Sequence, residues 1–204
     1  MTRAIADLPA PVQRYFRAVL QDGQPLVAVA QIRHAGQFNT GETHAQWRQF
    51  TASQVTITRR PGFDWDGRIG MGLGVRVFVH DAYVTGEGLV HAALLGLMPL
   101  VDLRGTPEAA HGELMRFMAE AVWYPTALLP SQGVYWEALD DLSARATLTD
   151  GATTVTLDMR FDAAGLIRSV RAAARSRMVN GVLVATHRPP QTRCVLPLRT
   201  AWQQ

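Results

Sequence analysis

The sequence predicts an α+β domain made mostly of antiparallel strands, and three observations carry that expectation. Apolar residues alternate with period two through most of the chain. Helical spacing appears in two segments, and neither sits in the βαβ alternation of a parallel sheet. The chain is 204 residues long, within the reach of one hydrophobic core, which serves up to roughly 250 residues; residues 1–204 therefore read as a single domain.

The first element is expected to be a helix from about Pro9 to Leu20. Asp7 is the candidate cap, Pro9 and Pro11 suit a first turn, and Val12, Tyr15, Phe16 and Val19 recur at helical spacing. Asp22-Gly23 ends it. The period then changes to two: Val27, Val29 and Gln31 alternate with Ala28, Ala30 and Ile32, and Ala45 to Thr58 reads as a second strand region. Phe63 to Met71 and Leu73 to Val84 follow. In the latter, Leu73, Val75, Val77, Val79 and Tyr83 share one face while Arg76, Phe78 and His80 share the other. The segment Gly70-Met71-Gly72-Leu73-Gly74 lacks the Lys-Ser/Thr ending of a phosphate loop and is expected to be a bend or bulge.

A second helix is expected from about Thr106 to Trp123, with Thr106 as cap and Pro107 at its first position. Leu114, Met115, Phe117, Met118, Ala121 and Val122 fall on one broad side, and Pro125 stops the run. Beyond it, Ser143 to Asp162 reads as a hairpin around Asp150-Gly151, with Leu148 opposite Thr153, Ala146 opposite Val155 and Thr147 opposite Thr154. Leu166 to Met178 forms a third strand of that sheet.

Bulk properties narrow the function. Apolar residues make up 48% and charged ones 18%, which excludes a disordered chain. The net charge of +3 is unevenly spread: residues 1–162 hold 13 arginines against 17 acids, and the seven remaining arginines follow Asp162. No basic motif interleaved with aromatics appears, so no nucleic-acid partner is expected. A single cysteine, Cys194, excludes an intrachain disulfide and a multi-cysteine metal site. The longest apolar run, Ala92 to Val101, is too short to span a bilayer, and the first residues lack the apolar stretch of a signal peptide. As given, the chain reads as cytoplasmic.

Leu8-Pro9-Ala10-Pro11-Val12-Gln13-Arg14-Tyr15-Phe16, Phe63-Asp64-Trp65-Asp66-Gly67-Arg68, Gly112-Glu113-Leu114-Met115-Arg116 and Trp123-Tyr124-Pro125-Thr126-Ala127-Leu128-Leu129-Pro130 together resemble an uncharacterised bacterial family of unknown function. That family is similar in fold to the periplasmic lipoprotein carriers. The resemblance implies a curved antiparallel sheet, a half-open barrel, with helices covering its concave face, and a cavity for an apolar ligand. It also implies that Trp65, Asp66, Arg68, Glu113, Arg116, Glu120, Trp123 and Tyr124 are shared polar and aromatic positions. The resemblance runs from about residue 8 to 185. From His187 the chain reads His-Arg-Pro-Pro-Gln-Thr-Arg-Cys-Val-Leu-Pro-Leu-Arg, where prolines bar a central strand. Residues 187–204 are an atypical tail, either divergent or the product of a frame change.

Candidate chemistry is sparse. His80 and His91 are expected on one face of two strands joined by a turn at Thr85-Gly86-Glu87, but zinc needs a third and fourth ligand that the pattern does not supply. No metal and no cofactor are therefore expected. His80 and Asp81 point to opposite faces of a strand, and no Gly-x-Ser-x-Gly elbow is present. Glu113, Arg116 and Glu120 form a helical stripe. It is either a surface ion-pair row or lies at the mouth or floor of a concave sheet, where Trp65, Asp66 and Arg68 could meet it.

The expected function is binding of an apolar small molecule or lipid between the sheet and the second helix, with Phe117, Met118 and Met115 facing the sheet as an adaptable lid. Two other readings remain open. One is a small hydrolase or lyase using Glu113, Glu120, Asp66 or a histidine for acid–base chemistry in the same cavity. The other is a partner-binding domain.

Overall fold

The computed structural model describes residues 5–41 and 44–172, and the backbone of residues 175–179 and 182–186. The tail from His187 lies outside the described residues. Helix α1 spans Ala10–Val19 and buries Pro11, Val12, Tyr15 and Phe16. Its N-cap is Pro9 and no side chain caps it, so Asp7 does not take that role. Pro9 sets the helix start two residues past Asp7, out of reach of its carboxylate. The Gln13 side-chain amide instead donates back to the Ala6 and Leu8 carbonyls, both at 2.8 Å.

Two antiparallel sheets follow. The first takes β1 (Val29–Asn39), β2 (Trp47–Ile57), β3 (Gly62–Gly72), β4 (Val75–Val84), β5 (Glu87–Leu94) and β6 (Met98–Arg104) in chain order. The second has β7 (Tyr135–Asp140), β8 (Ser143–Asp150), β9 (Thr153–Phe161) and β10 (Ile167–Ala172), again neighbours in sequence. Strands β11 (Arg175–Val179) and β12 (Val182–Thr186) pair with each other. The fold is thus α+β, and the described strands close no barrel.

Helix α2 (Pro107–Glu120) joins the two sheets, with Thr106 Oγ1 accepting from the Ala109 N–H at 3.1 Å as expected of its cap. The helical geometry ends earlier than the apolar spacing predicts. Ala121–Trp123, Pro125–Leu128 and Pro130–Gln132 are short 3-10 turns, because Pro125 and Pro130 each lack the N–H that a continuing α-helix needs. α2 lies between the sheets, against β4 and β5 on one side and β9 on the other. It sits closest at Gly88, where an added Cβ would meet the Ala109 carbonyl carbon at 2.3 Å.

One apolar cluster unites α1, α2, the 3-10 turns and both sheets. The second sheet contributes Trp136, Ala144, Ala146, Leu148, Val155, Leu157, Met159 and Phe161; the first contributes Phe63, Trp65 and Tyr83. A hydrogen bond of 2.9 Å from the Tyr83 hydroxyl to Asp150 ties one sheet to the other.

The hairpin of β8 and β9 forms with its faces as predicted, but its register differs by two residues. Leu148 pairs with Val155, Ala146 with Leu157 and Thr147 with Thr156, and the loop is Gly151-Ala152. Asp150 is held in the ladder opposite Thr153 while its carboxylate takes the Tyr83 bond, so it does not serve as a loop residue. β4 begins at Val75, two residues later than its alternation implies. Leu73 and Gly74 form the turn, with φ of 51° and 79°, and the ladder is irregular between Gly70 and Gly72.

Candidate functional site

The face of the first sheet that meets α2 carries residues of one parity, because side chains alternate along a strand. On β3 these are Phe63, Trp65, Gly67 and Ile69; their register partners on β4 are Tyr83, Asp81, Val79 and Val77. Among these apolar residues Asp81 is the one acid, and its partner comes from α2. Arg116 Nη1 donates to Asp81 Oδ2 at 2.6 Å, and Arg116 Nε donates to Glu120 Oε1 at 2.9 Å. Glu113 Oε2 stands 3.8 Å from Nη1. Glu113 is buried and the other three are part-buried, with side-chain exposures of 11–18%.

Aromatic rings and amides complete the knot. The guanidinium carbon lies 5.0 Å from the Phe63 ring centre and 4.9 Å from that of Trp65, within cation–π range. Gln54, on β2, donates to Glu120 Oε2 at 2.7 Å and to Thr56 Oγ1 at 3.0 Å. The helical stripe of Glu113, Arg116 and Glu120 is therefore no surface row, for it faces the sheet. It is an internal clasp between helix and sheet.

Arg116 is the cation that Asp81 and Glu120 share directly, with Glu113 beside it. Burial pushes the Asp81 carboxyl above its ordinary value, and Arg116 offsets only part of that. For Arg116, burial works against the charge, but Glu120, Asp81 and Glu113 outweigh it and hold the guanidinium firmly protonated.

Next to the clasp, Trp65 Nε1 donates to His34 Nδ1 at 3.2 Å, and Trp123 lies 5.2 Å from the His34 ring. With Nδ1 accepting, the neutral imidazole carries its proton on Nε2, which is buried and has no partner among the described residues. Burial holds His34 below the usual histidine value, so the neutral form persists. The indole of Trp65 lies flat over Gly67, where a Cβ would come within 2.2 Å of the ring.

The expected site residues divide between faces. Trp65, Glu113, Arg116 and Glu120 come together under α2, and Trp123 joins them through His34. Phe117, Met118 and Tyr124 are buried in the core, where Tyr124 donates to the Phe117 carbonyl at 3.2 Å. Asp66 and Arg68 occupy the opposite parity of β3 and point away from α2. There they line a cleft of about 270 Å³ with Phe78, His80 and His91. His80 and His91 are register partners on β4 and β5, as expected, and each has a carboxylate: Asp64 at 3.1 Å and Asp102 at 3.5 Å. No group of three or more metal-ligating side chains occurs among the described residues. A second cleft of about 250 Å³ lies between the end of α1 and the 3-10 turns, lined in part by Leu20, Leu26, Thr126 and Leu129. Neither cleft is lined by α2.

Asp81, Gln54, Phe63 and His34 belong to the assembly but were not among the expected residues. Asp81 did carry a signal. A lone acid in register with Val77, Val79 and Tyr83 on an apolar strand face requires a buried cation. Gln54 and His34 carried none, since polar residues alternate freely along β1 and β2.

Residues 6–188 match a family described as being of unknown function, DUF6920. The chain belongs to that family. The DUF6920 match takes in α1, α2 and both sheets, and therefore the whole clasp. No curated protein and no solved structure matches the chain. Among the described residues, no helix is long and apolar enough to cross a membrane.

Proposed function

We propose that this domain binds an apolar small molecule or lipid on the inner face of its first sheet. In this reading the sheet acts as the wall of a half-open barrel, of the kind seen in periplasmic lipoprotein carriers, and α2 is its cover. The observation that carries the reading is the unsatisfied Nε2 of His34, set where the apolar wall begins. Beyond it, the same face continues with Phe38, Phe50, Ile69, Val77 and Leu94, and Phe38 packs edge-on against Phe50 with centroids 6.0 Å apart. An apolar chain laid along this wall would bring a polar end to His34. Since Nε2 is a donor, that end is an acceptor such as a carbonyl or hydroxyl oxygen.

Trp65 and Trp123 flank His34 and frame the polar end, with Tyr124 behind them. Arg116, Glu113 and Glu120 anchor the cover, and Phe117, Met118 and Met115 root it in the core. The experiment is titration with an environment-sensitive apolar dye and with monoacylglycerols, comparing the native protein with Phe50→Arg and His34→Phe. Phe50→Arg is expected to abolish uptake, and His34→Phe to weaken the monoacylglycerol while sparing the dye. Failure of the native protein to take up either class would remove the reading.

The acid–base alternative rests on different residues. The Asp64–His80 contact in the outer cleft is the geometry of an oriented general base. A hydrolysis screen of ester and amide substrates, repeated with His80→Ala, tests it; activity unchanged by the substitution counts against it.

A further inference from the structure

In a sheet whose strands pair in chain order, the β1–β2, β3–β4 and β5–β6 turns all lie at one end. That end is apolar. Leu73, at the β3–β4 turn, is fully exposed, and Leu97, at the β5–β6 turn, is 83% exposed. Leu95, Met98, Leu100 and, from the first hairpin, Trp47 are exposed beside them. Two of the leucines hold left-handed backbone: φ is 51° at Leu73 and 53° at Leu95, each followed by a glycine that is also left-handed. Such turn positions favour Asn, Asp or Gly, so leucine is there against local preference. The two turns are two strands apart, about 10 Å.

Charge at this end leans basic: among the described residues of the three turns and the strand ends beside them are Arg48 and Arg76 and no acid, while one acid, Glu42, falls in the first turn outside the described residues. We propose that this end of the sheet docks on the surface of an anionic lipid bilayer, with the turn leucines among the acyl chains and the arginines at the headgroups. Shape favours a bilayer over a protein partner. Leu73, Leu95 and Leu97 project from turns rather than forming one flat patch, and a protein would need a matching hollow for each, whereas acyl chains conform to any projection. Trp47 suits the interface level, where an indole meets both apolar and wet surroundings. This surface shares no residue with the ligand wall and stands whether or not that reading holds.

The test is flotation of the full chain with vesicles of phosphatidylcholine alone and of phosphatidylcholine mixed with phosphatidylglycerol. The native protein floats with the mixed vesicles, and brominated lipid quenches its fluorescence in a way that Trp47→Phe removes. Leu73→Asp with Leu97→Asp lowers the apparent affinity about tenfold or more, and Arg48→Gln with Arg76→Gln lowers it less and flattens its salt dependence. Three results overturn the proposal. The native protein fails to float with the mixed vesicles; the leucine variant, folded by circular dichroism, floats equally well; or the leucines drive only self-association, removed by the same variant without any vesicle binding.

Discussion

Arg116 of α2 reaches Asp81 of β4 at 2.6 Å from inside the protein, and this contact orients the helix on the sheet. The pair is one arm of a clasp in which Glu120 and Glu113 share the same cation. Replacing Arg116 by Met leaves the largely buried Asp81 and Glu120 carboxylates without the cation they share, so the expected loss of stability is about 3–5 kcal/mol. Asp81→Asn removes one carboxylate from an acid-rich cluster and keeps a hydrogen-bonding group there; its expected cost is below about 1.5 kcal/mol. Urea unfolding of the two variants checks the order. An Asp81→Asn variant as unstable as Arg116→Met would show that the Arg116–Asp81 pair alone carries the clasp.

His34 sets a pH dependence of defined sign. Its folded-state value is held below the ordinary 6.5 by burial. Between that lowered value and 6.5, the unfolded chain binds a proton that the folded protein does not. Stability is therefore fully present above 6.5 and is lost as pH falls through this window. Asp81 works in the opposite sense at lower pH. Its raised value lets the folded form keep a proton above the ordinary 3.8, so its unfavourable share is relieved as pH falls toward that point. Urea midpoints followed from neutral pH downward should fall less for His34→Gln than for the native protein. Parallel curves would remove His34 from the account.

The approach of α2 to β5 at Gly88 leaves no space for a methyl group. Gly88→Ala is expected to cost about 2–3 kcal/mol or more, since the obstruction is the backbone at Ala109–Ala110 and not a movable side chain. Gly112, on the same helix, has nothing within 4 Å of an added Cβ. Gly112→Ala should stabilise by roughly 0.5–1 kcal/mol through helix propensity alone. Thermal unfolding of the two variants separates close packing from backbone entropy.

Leu73 holds a left-handed conformation with its side chain wholly exposed, so it contributes strain without packing. Leu73→Gly should raise stability by about 1 kcal/mol. Differential scanning calorimetry reads the shift. A melting temperature that drops would mean that the leucine packs against something in solution.

Local patterns in the sequence carried most of the elements. Period two marks β1 to β4, the β8–β9 hairpin and the opposition of His80 to His91, because strand faces are decided residue by residue. The same rule already separates Trp65 from Asp66 and Arg68, which grouping by shared motif had joined. Where α2 points was less legible. Half of its fourteen residues are buried and only Pro107 and Glu108 are exposed, so the stripe of Glu113, Arg116 and Glu120 resembles a solvent face in sequence and meets the sheet in the fold. The hairpin register slipped by two because Asp150 looks like a loop residue until its distant bond to Tyr83 is known. Non-local partners of this sort leave no periodic trace.

α1 comes early in the chain yet packs against the second sheet. Tyr15 packs tilted on Phe161, Phe16 meets Trp136 edge-on, and the Arg14 guanidinium donates to the Asp141 carbonyl. During synthesis at about 5–20 residues per second, the helix is made roughly seven to thirty seconds before β9 and β10 exist. Throughout that interval the nascent chain displays Val12, Tyr15 and Phe16 with nothing to pack against, a natural target for a holdase chaperone.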